Sequence, residues 1–141
     1  MDRQIIHTAP GLVEAAYCPE LKAVYLKWFS EYDEGTRVRD AVHAALEYVR
    51  ANNVQHWIVD VSTSPHALSD EDYEWVSSDE FRSEIQNSPL RKFVLLPPLP
   101  ESGQDDGWVS DWEANTLAKF GDNVSAKVCD SAEAARTFLM K

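Results

Sequence analysis

The run His56-Trp57-Ile58-Val59-Asp60-Val61, apolar through its middle and interrupted by one carboxylate, constrains the fold of this chain more than any other feature. It leads into a polar stretch, Ser62-Thr63-Ser64-Pro65-His66-Ala67-Leu68, and then into Ser69-Asp70-Glu71-Asp72-Tyr73. A short apolar run without alternation reads as a strand covered on both faces, and the residues after it read as a loop and a capped helix. That order belongs to an α/β sheet, whose ligand-binding or modifiable groups gather at the carboxyl edge.

The rest of the chain agrees. Leu12 to Tyr17 and Leu21 to Phe29, separated by Cys18-Pro19-Glu20, predict an antiparallel hairpin. Val38, Ala41, Val42, Ala45, Leu46 and Val49 fall on one helical stripe that Asn52-Asn53 can stop. Ser69 with Asp72 three residues on, and Leu68 set to staple onto Tyr73, mark a second helix from Asp70. Ser77 and Glu80 form a second capping pair that kinks or restarts it, and Pro89 ends it. Phe93-Val94-Leu95-Leu96 is another covered strand, closed by Pro97-Pro98-Leu99-Pro100. A helix from Ser110 to Phe120, an edge strand over Val124, Ala126 and Val128, and a last helix capped by Asp130 complete the pattern. The expectation is one α/β domain over residues 1–141: a mainly parallel mixed sheet with an N-terminal antiparallel hairpin and about four helices.

Charge narrows the partners. A formal net charge of -11 repels phosphate backbones and anionic headgroups, which argues against nucleic acid. No stretch approaches the length of a membrane span, and the amino terminus lacks the apolar core of a signal peptide. Cys18 and Cys129 have no metal or redox spacing, so two reduced thiols in a cytoplasmic protein are expected.

Residues 12 to 140, in this element order, resemble the SpoIIAA-like branch of the STAS superfamily, the anti-sigma-factor antagonist and sulfate-transporter domains, related in shape to lipid-binding CRAL-TRIO modules. The resemblance rests on Trp57-Ile58-Val59-Asp60-Val61-Ser62, on the helix start Leu68-Ser69-Asp70-Glu71-Asp72, and on the carboxy-terminal Ser131-Ala132-Glu133-Ala134-Ala135. It implies a STAS-like regulatory or protein-interaction domain without enzymatic activity. It also implies a phospho-acceptor at Ser69, the position matching the serine that a partner kinase modifies in antagonists. The family's Asp-Ser-Ser-Gly is replaced here by Leu68-Ser69-Asp70-Glu71. Three carboxylates beside Ser69 repel a phosphate at close range, so the residues themselves favour a helix cap.

Candidate chemistry is sparse. Asp60, Ser62, Ser64 and His66 are the one nearby set of acid, hydroxyls and base, and the residues favour loop capping over a catalytic triad. His7, His43, His56 and His66 are scattered, so no metal is expected, and the glycines form no phosphate cradle, so no cofactor is expected either. Trp75 lies off the stripe of Tyr73 and Val76; its residue type favours ordinary packing against a neighbouring helix or loop, with a pocket wall or contact surface as the other reading. The expected interaction or ligand surface is therefore Asp60, Ser62, His66, Asp70, Asp72 and Trp75, meeting a protein partner or a second copy, with a homodimer through an edge strand or the hairpin. A small apolar ligand such as a lipid is the alternative.

Overall fold

The computed structural model describes residues 4–30, 35–62, 70–76, 78–96, 125–129 and 131–140. Its six-stranded mixed sheet runs in chain order. β1 (Gln4–Ala9), β2 (Val13–Cys18) and β3 (Ala23–Trp28) are antiparallel; β4 (His56–Asp60), β5 (Lys92–Leu96) and β6 (Ser125–Val128) continue parallel to β3.

β1 is an addition to the expected hairpin, which becomes a three-stranded meander. Its register shifts between Ile5 and His7, so the period-two alternation that marks a strand in sequence is broken there, and Ile5 is left exposed. Gly11, at φ 77°, takes the left-handed conformation in the turn to β2, where the Leu12 amide donates to the Ala9 carbonyl at 2.9 Å.

α1 (Arg37–Asn52) buries the whole predicted stripe, from Val38 to Val49. Asn53 ends it in the left-handed conformation, donating its amide to the Val49 carbonyl. The helix expected from Asp70 is two helices, α2 (Asp70–Val76) and α3 (Asp79–Gln86). The cap between them is Ser78 rather than Ser77, because it is the Ser78 hydroxyl that accepts the Phe81 amide at 3.2 Å. The chain leaves α3 at Asn87, where the Ser88 hydroxyl donates to the Ile85 carbonyl at 2.6 Å, before Pro89 is reached. α4 (Ala132–Leu139) is likewise capped one residue later than expected, by Ser131 accepting the Ala134 amide at 3.1 Å. The expected Ser110 to Phe120 helix lies outside the described residues, so the expected set of about four helices is matched only in part.

Strands that step one way across a sheet through right-handed crossovers put their connecting helices on one face. α1 and α3 do pack together, against Val24, Leu26, Trp28, Trp57, Phe93, Leu95 and Ala126. Trp57 and Phe93, register partners, stack with ring centroids 5.7 Å apart at 11°. The opposite face, formed by Ala23, Ile58, Val94 and Leu96, packs against Ala135 and Leu139 of α4. Lys92 fixes the far end of α4 by donating to the carbonyls of Phe138 at 2.9 Å and Leu139 at 3.4 Å. β4 and β5 are thus covered on both sides, which is why their sequences are nearly continuous apolar runs.

Candidate functional site

Strand alternation sends the side chain of Asp60 to the same face as His56 and Ile58, the face that α4 covers. In the parallel register Asp60 lies between Lys27 of β3 and Leu96 of β5, at the carboxyl ends of these strands. The carboxylate is only 4% exposed and is enclosed by donors. The amide and hydroxyl of Ser62 donate to its Oδ1 at 2.9 and 2.6 Å. The Tyr25 hydroxyl donates to Oδ2, and Lys27 Nζ lies 3.5 Å from the same oxygen. Burial pushes the Asp60 carboxyl upward; the hydroxyls of Ser62 and Tyr25, the Ser62 amide and the Lys27 ammonium together outweigh it and hold the group below its ordinary range. A carboxylate so occupied is a weak base. It ties the end of β4 to β3 and fixes the first residues of the loop that follows, a tertiary lock built on a local Asx-type turn.

His56, at the other end of the strand, points the same way. Its Nδ1 donates to the Leu21 carbonyl at 2.7 Å. Burial is the main cause that lowers its pKa, with Lys92 and Lys22 acting in the same direction against the Leu21 hydrogen bond.

The second cluster lies across the sheet, among the helices. Arg39 of α1 places Nη2 3.0 Å from Glu71 Oε1 and Nε 3.4 Å from Asp72 Oδ1. One turn further along α1, His43 Nε2 is 3.6 Å from Glu84 Oε2 of α3, and its ring meets Trp75 edge-on with centroids 5.1 Å apart. Trp75 also packs against Phe81 at 5.1 Å.

This arrangement corrects the expected surface. Asp72 is 1% exposed, because it is turned toward the Arg39 guanidinium instead of solvent. Trp75 is half-buried, packed between His43 and Phe81. Asp60 and Ser62 are brought together, and so are Asp72 and Trp75, but the two pairs belong to opposite faces of the sheet. Asp70 opens α2, with its side chain outside the described set; Ser64, His66 and Ser69 lie outside the described residues altogether. Tyr25, Lys27, Arg39 and His43 were not anticipated as members of either cluster. Lys27 had a legible signal, since parallel pairing of β3 with β4 aligns their carboxyl ends; Arg39, a cation on the polar side of a helix, had none.

A groove of about 320 Å³ runs beside α4, lined by Lys127, Ser131, Glu133, Ala134, Thr137 and Phe138. Among the described residues no group of His, Cys, Asp and Glu side chains is placed to hold a metal ion, and no helix is long and apolar enough to cross a membrane. Compared with protein-family models, with curated proteins and with solved structures, the chain matches none of them.

Proposed function

We propose that this chain is a non-enzymatic regulatory or protein-interaction domain of the STAS-like type. The carrying observation is the state of Asp60: the carboxylate best placed for chemistry, at the carboxyl edge of the sheet, is closed off by Ser62, Tyr25 and Lys27. Those contacts hold the carboxyl end of β4 rigidly against β3, and a fixed edge is what a recognition surface requires. The strand order and the helix packing on both faces support the same reading. The groove beside α4 is open and mixes Lys127, Ser131, Glu133 and Thr137 with Ala134 and Phe138, whereas a small apolar ligand calls for an enclosed apolar pocket.

With Asp72 buried, the acidic face offered to a partner is that of Glu71 and Glu74, both exposed on α2. The test is affinity capture from the source organism with the wild type and a Glu74→Lys variant, which leaves the Arg39–Glu71 pair intact, alongside native mass spectrometry for subunit number, bound small molecules and phosphate at Ser69. Loss of a reproducible partner at unchanged melting temperature is the expected result. Capture unaffected by the reversal would remove this face from the proposal, and a stoichiometric apolar adduct would replace interaction with ligand carriage.

A further inference from the structure

The two edges of the sheet are finished differently. β6 is four residues long, and a short edge strand is a common protection against pairing with another chain. β1 has six residues and, among the described residues, a neighbour on one side only, β2. Alternate amides and carbonyls along its outer side therefore face outward with no strand to bond. Edge strands are usually blunted by lysine or proline, and Gln4–Ala9 contains neither, nor any carboxylate. It carries instead Ile5, at 57% exposed the most open of the large apolar side chains described.

The register shift decides what such an edge can pair with. Gln4, His7 and Ala9 are partnered by Tyr17, Ala15 and Val13 on the face that α1 covers, and Ile6 packs against the same core. Ile5 and Thr8, partnered by Ala16 and Glu14, lie on the other face. From Gln4 to Ala9 the faces run α1, opposite, α1, α1, opposite, α1, an order that reads the same from either end. Unbroken alternation over six residues would be out of phase about its own midpoint. Antiparallel partners share a face, so this strand, because of its bulge, matches an inverted copy of itself, with Ile5 meeting Thr8 and Ile6 meeting His7. Charge permits the match here. The net charge of -11 sets two copies against each other as whole molecules. Beside β1, however, Tyr48 of α1 donates to Gln4 Oε1 at 3.0 Å, and its helical neighbours Ala44, Ala51 and Asn52 are uncharged. Glu14, half-buried across from Thr8, has Lys27 as its register partner on β3.

We propose that two copies of this chain pair through β1, antiparallel about a two-fold axis between Ile6 and His7, so that their sheets join into one. The pairing rests on the edge strand and not on the α2 face proposed above, so either can fail alone.

Sedimentation equilibrium of the full chain from micromolar to millimolar concentration tests this, with a dimer expected. Ile5→Lys, at a position open to solvent in the single chain, brings two like charges into the seam. It should raise the midpoint of dissociation roughly tenfold while the far-ultraviolet dichroism stays that of the wild type. Oxidation of single-cysteine variants reads the register. Ile5→Cys mixed with Thr8→Cys should give a disulfide between copies in better yield than Ile5→Cys alone, because the two Ile5 positions are out of step by about three residues, roughly 10 Å and beyond disulfide reach. Cys18 and Cys129 are buried, and the wild type reports their background. A wild type that stays monomeric at the highest concentration would overturn the proposal. So would a dimer whose midpoint Ile5→Lys leaves in place, or one cross-linked from Ile5→Cys to Ile5→Cys in preference to Thr8→Cys.

Discussion

Asp60 and Asp72 are both withdrawn from solvent, and they are held by opposite means. Asp60 is 4% exposed and is fastened within its own sheet, by a serine two residues along and by side chains of the paired strand β3. Asp72 is 1% exposed and meets the guanidinium of a residue on a separate helix. Strands in register cannot move apart without breaking a ladder, whereas two helices can separate by losing a few side-chain contacts. A buried charge held by paired strands should therefore be felt across the sheet when it is removed, and one held between helices chiefly at the contact of those helices.

Asp60→Ala should have the largest effect. It leaves the Tyr25 hydroxyl and the Ser62 amide without their acceptor in a half-dry site, at a cost of about 3–5 kcal/mol read from the urea midpoint, with protection falling in β3 and β4 together. Loss confined to the Ser62 loop would break the comparison. Asp72→Lys sets a lysine against Arg39 and should cost about 3 kcal/mol, with the contact between α1 and α2 loosened and Trp75 more accessible in quenching experiments. A variant in which Trp75 stays as shielded as in the wild type would break the comparison. Tyr25→Phe removes one hydrogen bond to a charged acceptor while keeping the ring, so a chemical-denaturation loss of about 1.5–3 kcal/mol is expected, smaller than that of Asp60→Ala.

The smallest effects are those of pH. Asp60 has a folded pKa below its unfolded value, so its contribution is fully present above the ordinary aspartate range near 3.9 and is lost as pH falls toward the folded value. His56 also titrates lower in the folded state than in the unfolded one, and the unfolded chain takes up its proton first as pH falls through about 6.5. Stability followed from pH 8 downward should decline in two steps, the upper one flattened in His56→Asn and the lower one in Asp60→Asn. If His56→Asn left the upper step unchanged, His56 would not be its source.

Much of this architecture was legible locally. The Val38 to Val49 stripe, the runs in β4 and β5, and the alternation of Ala126 and Val128 with Ser125 and Lys127 carry their period in the sequence, and each became the expected element. The misreadings share a cause. β1 was hidden because the register shift at Ile5 and His7 breaks its period, and the caps at Ser78 and Ser131 compete with hydroxyl or carboxylate neighbours one residue away that offer the same local signal.

What the sequence by itself determined was whatever depends on nearest neighbours: helix faces, covered strands, and the link from Asp60 to Ser62, two residues apart. Tertiary structure decided which polar groups meet. Tyr25 reaches Asp60 across a separation of 35 residues, and Arg39 reaches Glu71 across 32, so neither pairing leaves a periodic trace. Asp72 looked like a solvated member of an acidic helix start for the same reason. Whether a carboxylate faces water or a guanidinium is set by which helix packs beside it, and that depends on the whole sheet being assembled first.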